Sequence, residues 1–145
     1  MSVIYVLNGP NLNLLGSREP EVYGTFSLGD LEASLQNWAL SKDQAIKVLQ
    51  TNSEDELIGW LHAAIKEKSS VVINPAAFTH YSYALRDACA ALTGSGLSLI
   101  EVHISNPHAR ETFRHNSVIS GVATGVIAGF GIDSYLLALE QLSRR

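Results

Sequence analysis

Short β-branched runs alternate along the chain with longer stretches whose apolar residues recur at helical spacing. Val3-Ile-Tyr-Val-Leu7 predicts a first strand, and Ser27 to Leu40 a helix striped by Leu28, Leu31, Leu35 and Trp38. Ala45-Ile-Lys-Val-Leu49 predicts a second strand. Ser53 and Glu56 then form a capping-box pattern that opens a helix striped by Leu57, Leu61, Ala64 and Ile65. Val71-Val-Ile73 predicts strand three. The helix after it has the clearest period, with Tyr81, Ala84, Leu85, Ala88, Cys89 and Leu92 on one face. Beyond Gly94-Ser-Gly96 a fourth strand runs from Leu97 to about Ile104, followed by a short helix at Asn106-Pro107 that carries Arg110 and Arg114 on one face. Ala123 to Ala128 predicts strand five, and Ile132, Tyr135, Leu136, Leu139 and Leu142 stripe a terminal helix.

Strands separated by crossover helices imply a parallel sheet covered on both faces, because parallel neighbours need right-handed βαβ connections. Five such strands suggest an α/β, flavodoxin-like sheet of order 2-1-3-4-5. The 145 residues, without repeat or linker, read as a single domain over 1–145, large enough to bury roughly 68–70% of its unfolded surface.

Composition narrows the function. Ten Lys and Arg against fourteen Asp and Glu leave a net charge of −4, so no basic field exists for nucleic acid. The single Cys89 permits no intrachain disulfide and no cysteine-based metal cluster, and its place on an apolar stripe marks it as packing. The opening residues lack both the positive n-region and the apolar length of a signal peptide or membrane span, which predicts a cytoplasmic protein with no membrane partner.

In an open parallel sheet, ligands bind beyond the carboxyl ends of the strands. Three of those ends are polar here: Asn8-Gly-Pro-Asn11, Asn74-Pro-Ala-Ala-Phe-Thr-His80, and Glu101, His103 and Ser105, which alternate onto one face of strand four. Glu101 and His103 have two readings, a hydrogen-bonded packing pair or part of a site. Gly16 to Gly24 is long for a strand-to-helix connection and carries Arg18 and Tyr23 between two glycines, as a lid or as a solvated loop. No P-loop, dinucleotide fingerprint, H-E-x-x-H or nucleophile elbow is present. What remains is a Tyr, a His, arginines and amides without metal or cofactor. That set suits proton abstraction beside a carbonyl and elimination of a hydroxyl. A flavin-carrying module of the same fold is the competing reading, and the colour of the purified protein separates the two.

Asn8-Gly-Pro-Asn-Leu-Asn-Leu-Leu-Gly16, Arg18-Glu-Pro20 with Tyr23-Gly24, Asn74 to His80, Ala84-Leu-Arg-Asp87, Ile100-Glu-Val-His-Ile-Ser-Asn106 and the Arg110 to Arg114 segment closely resemble, in order, the type II 3-dehydroquinate dehydratases. Departures are modest: Gly94 to Ser98 lacks a proline that members often carry before the strand, and Ser120 to Ala123 differs in detail. The resemblance implies a flavodoxin-like fold and anti-dehydration of 3-dehydroquinate to 3-dehydroshikimate through an enolate, without cofactor, metal or Schiff base. By position, Tyr23 would be the base that removes the C2 proton, Arg18 would stabilise enolate and phenolate, His103 would protonate the leaving hydroxyl, and Asn11 would hold a water at the enolate oxygen. Asn74, His80, the backbone of Ile104 and Ser105, and Arg114 would bind substrate, with Glu101 and Arg110 supporting from behind. Tyrosine in water ionises near ~10, so a tyrosinate base requires adjacent positive charge. Asp87 projects away from its helix's core stripe. The resemblance gives it a place in a neighbour's site, within trimers that assemble into a dodecamer.

Overall fold

A computed structural model describes residues 3–144. Five parallel strands, β1 (Ile4–Asn8), β2 (Ile46–Gln50), β3 (Val71–Asn74), β4 (Leu99–His103) and β5 (Gly125–Ala128), form one sheet of order β2-β1-β3-β4-β5. This is the expected flavodoxin-like order. Helices α2 (Leu28–Ser41) and α5 (Ile132–Ser143) cover one face, while α3 (Glu54–Glu67) and α4 (Tyr83–Gly94) cover the other. The single turn α1 (Pro20–Tyr23) lies within the long connection after β1.

The strand period of two divides the core. Ile4, Val6, Val72, Ile100 and Val102 pack toward Leu31, Leu35, Tyr135 and Leu139; Tyr5, Leu7, Val71, Ile73 and Leu99 pack toward Leu57, Leu61, Leu85 and Leu92. Each large apolar side chain buried this way stabilises the fold by about 1.5–3 kcal/mol. Edge strands β2 and β5 are only partly covered. Cys89 is buried on the α4 side, and desolvation raises its thiol to about 12, consistent with packing.

Several local details differ from the sequence reading. Ser53 does accept from the Glu56 amide at 3.2 Å, but its own amide donates to Thr51 Oγ1 at 2.9 Å, so this box is half formed. The reciprocal box is at Ser27 and Asp30, both bonds at 3.0 Å, which opens α2. Helix α4 begins only at Tyr83, after the cap Ser82, so Tyr81 lies before it, exposed and edge-on to Phe78 rather than in the core; Ala84 is exposed too. After β4 there is no single short helix. Two separate 3₁₀ turns, Pro107–Ala109 and Thr112–His115, place Arg110 between them and Arg114 within the second.

At the topological switch between β1 and β3 the two strand exits touch. Gly9 donates to the Asn74 carbonyl at 2.8 Å, and a Cβ at residue 9 would lie 2.6 Å from the Pro75 oxygen. Only glycine lets these backbones approach, and the approach brings both polar strand ends to one rim.

Candidate active site

The rim borders a cleft. The connection after β1 contributes Asn11, Arg18 and Tyr23 to its wall; the β3 exit contributes Asn74 and His80; the β4 exit contributes His103, Ile104, Ser105, Arg110 and Arg114. Two of the loop residues, Asn11 (φ 70°) and Ala76 (φ 53°), hold left-handed backbone without being glycine. Such conformations cost on the order of 1–3 kcal/mol and persist where surrounding contacts over-determine them. Here Ala76 donates to Asn74 Oδ1 at 3.0 Å, and the Asn11 amide donates to Asn52 Oδ1 at 3.0 Å.

Tyr23 sits at the end of α1, where Gly24 (φ 87°) turns the chain back toward α2. Its ring is held by two cations: the Arg18 guanidinium lies 5.0 Å from the ring centroid and that of Arg110 4.9 Å. Arg110 also donates to Ser105 Oγ at 3.4 Å. It therefore forms part of the cleft wall and does not stand behind it. Glu111 lies 3.1 Å from Arg114 and 3.8 Å from Arg110, a bridge at the exposed edge, and Arg110 makes no pair with Glu101. Three guanidinium groups lining one cleft of an acidic chain create a local preference for an anionic ligand.

Behind His103 the Glu101 carboxylate is fully buried. An unpaired buried charge would cost several kcal/mol. Glu101 instead accepts from His103 Nε2 at 2.6 Å, from Ser120 at 2.5 Å and from the Thr79 hydroxyl, with the Ser117 hydroxyl at 3.2 Å. Burial pushes its pKa up, but the bond and charge of His103, with the Ser120 and Thr79 hydroxyls, outweigh burial and hold it below the ordinary value. With Nε2–H committed to Glu101, Nδ1 is the imidazole nitrogen left for other chemistry. A group with a depressed folded-state pKa stabilises the fold while ionised and ceases to do so as pH falls through that pKa. The wild-type advantage over Glu101→Gln in urea midpoint is therefore expected to be full near about pH 7 and to shrink as pH falls below the usual carboxylate range. A gap independent of pH would contradict this.

His80 donates Nδ1–H to the Asn116 carbonyl at 2.8 Å. Burial lowers its pKa, helped by the charges of Arg114 and His103 against the Asn116 bond and Glu101. Neutral His80 thus presents Nε2 as an acceptor. Asp87 stands apart. Its side chain is 76% exposed, pairs with the adjacent Arg86 at 3.1 Å, and does not line the cleft of its own chain.

Sequence reasoning missed two sets of contacts. The hydroxyls of Thr79, Ser117 and Ser120 are scattered along the chain and meet only around Glu101. Asn8 and Tyr135, buried on β1 and α5, are hydrogen-bonded to each other, and Tyr135 is bonded to Asn74 as well. Tyr135 looks like one more apolar stripe position until its hydroxyl is located.

The dehydroquinase class II family model matches residues 2–143. The 3-dehydroquinate dehydratase of Salinispora arenicola is 56% identical over 142 residues, covering 98% of this chain and 97% of that protein. The enzyme of the same name from Xanthomonas oryzae is 53% identical over 146 residues, covering 100% and 97%. The crystal structure of the type II dehydroquinase from Propionibacterium acnes superposes with a TM-score of 0.95 at 48% identity, covering 100% of this chain and 98% of that one. Every strand and every wall of the cleft falls within the matched residues, and the chain belongs to the class II dehydroquinase family.

Proposed function

We propose that this cleft carries out the family's reaction with Tyr23 as base and His103 as acid. The chain is a hydro-lyase that dehydrates 3-dehydroquinate to 3-dehydroshikimate in the shikimate route to aromatic amino acids. The observation that carries the residue assignment is the phenol of Tyr23 held against two guanidinium groups, in a cleft shared with a histidine fixed to a buried carboxylate. Arg18 and Arg110 place two guanidinium charges against the ring of the proposed base. The phenolate takes the C2 proton, and the C2–H electron pair delocalises onto the ketone as an enolate. When the enolate collapses, the C1–O bond breaks and His103 delivers a proton to the departing hydroxyl, releasing water and leaving a conjugated enone. Asn11 holds a water at the enolate oxygen, where it stabilises charge that develops only during reaction. Arg114, the Ile104 and Ser105 backbone, Asn74 and neutral His80 bind the substrate's carboxylate and hydroxyls. A spectrophotometric assay for the enone, run on purified protein with 3-dehydroquinate, tests the activity; no absorbance change would overturn it.

Asp87 extends the reading to assembly. Tyr83, four residues earlier on α4, is 70% exposed on the same side as the exposed Asp87, and such an apolar patch beside a charge suits a subunit contact. Asp87 reaches a neighbour's cleft in a homo-oligomer, a dodecamer built from trimers. Mixed assemblies of Asp87→Ala and Tyr23→Phe chains are then expected to exceed the weighted activity of their impaired parents, since some sites combine both intact residues. Verified mixed oligomers with no such recovery would remove Asp87 from the shared site. Among the described residues no helix is long and apolar enough to cross a membrane, and the reading places the enzyme in the cytoplasm.

A further inference from the structure

A line of buried polar groups runs under the cleft from β2 to the β3 exit. Asn8 Nδ2 donates to the Leu49 carbonyl at 3.2 Å, and the Tyr135 hydroxyl donates to Asn8 Oδ1 at 2.6 Å. Asn74 Nδ2 donates to the same Tyr135 oxygen at 2.8 Å, and Asn74 Oδ1 accepts from the Ala76 amide at 3.0 Å. Asn8, Asn74 and Tyr135 are all buried, so none of these partners can be exchanged for bulk water without cost.

The direction of the whole line is set at its ends. A backbone carbonyl only accepts, so Leu49 forces Asn8 to present Nδ2 to it and Oδ1 to the tyrosine. The hydroxyl must then donate to Asn8, which leaves its lone pairs to accept from Asn74. At the other end a backbone amide only donates, so Ala76 requires Oδ1 of Asn74. Both constraints select the same one of the two nearly isosteric carboxamide orientations. Burial pushes the Tyr135 phenol above its ordinary range, so the hydroxyl keeps the proton it donates. The second Nδ2 hydrogen of Asn74 is left as that side chain's remaining donor, on a residue that lines the cleft.

We propose that Tyr135 is a positioning residue: through Asn8 and Asn74 it fixes which edge of the Asn74 carboxamide meets the substrate. The inference rests on the proposed function, in which Asn74 binds substrate. Removing the Tyr135 oxygen keeps the ring in the core but leaves Asn74 Nδ2 and Asn8 Oδ1 without that partner, and the carboxamide loses one of the two contacts that choose its orientation.

Steady-state kinetics of Tyr135→Phe, Asn74→Ala and the double variant test this. Tyr135→Phe is expected to lower kcat/KM by about tenfold, mainly through KM, as befits a contact made in both ground and transition states. In the Asn74→Ala background the same change is expected to do nothing further, a result that a general loss of stability would not produce. Equal losses in both backgrounds, or a fully active Tyr135→Phe beside an impaired Asn74→Ala, overturn the role of Tyr135 alone; a fully active Asn74→Ala overturns the assignment of Asn74 with it. Should Tyr135→Phe not fold, nitrogen-15 NMR of the wild-type Asn74 side chain decides. A nitrogen-15 order parameter for Nδ2 of about 0.85, as for rigid backbone, supports a held carboxamide; one below about 0.6 overturns it.

Discussion

Tyr23→Phe is expected to reduce kcat roughly a thousandfold while substrate affinity changes by no more than a few-fold, the range in which loss of a general base falls. The reason lies in how the ring is held. Arg18 and Arg110 lie against its π system at 5.0 and 4.9 Å, and phenylalanine retains that π system, so the connection after β1 and the cleft wall keep their contacts. Only the oxygen that, in the proposed mechanism, receives the C2 proton is lost. Calorimetric titration with 3-dehydroshikimate measures the affinity, and enone formation measures turnover. A variant that keeps most of its kcat would remove Tyr23 from the chemistry; one that turns over normally but binds poorly would make it a binding residue.

His103→Ala is expected to lower product formation by about 10²- to 10⁴-fold while exchange of the substrate's C2 proton with solvent deuterium falls much less. The proposed mechanism gives the two steps to different groups, so loss of the acid is expected to leave an enolate that forms and returns. The variant is a fair test because Glu101 keeps the Thr79, Ser117 and Ser120 hydroxyls when the imidazole is gone, which limits the exposure of an unpaired buried charge. Mass spectrometry of recovered substrate gives the exchange rate. Equal suppression of exchange and product formation would show that His103 acts before or during proton abstraction, and the assigned role would fall.

Much of this molecule is written in short-range pattern. The alternation of β-branched runs with helical stripes predicts the sheet and its order, because strand and helix periods are local properties and right-handed crossovers leave few topologies. The polar strand ends Asn8–Asn11, Asn74–His80 and Glu101–Ser105 converge on one rim for the same reason, since each sits at the carboxyl end of a parallel strand. The shared face of Glu101 and His103 follows from their spacing of two, and their 2.6 Å bond realises it. Other features depend on where distant segments pass one another, and no period encodes that. Arg110 comes against Tyr23 only because the chain after β4 breaks into two 3₁₀ turns instead of one helix, so a spacing of four no longer puts Arg110 and Arg114 on one helical face. Tyr81 satisfies the stripe of α4 yet precedes the cap Ser82, and so lies in solvent. Tyr135 satisfies the stripe of α5 and is indeed buried, but a stripe reports the face a residue occupies and not the partner of its hydroxyl. Sequence period determined which side chains are covered and which strand ends carry chemistry. Which polar atoms meet was decided by the packing of elements far apart in the chain, because a hydrogen bond depends on distance and direction that only the assembled core sets.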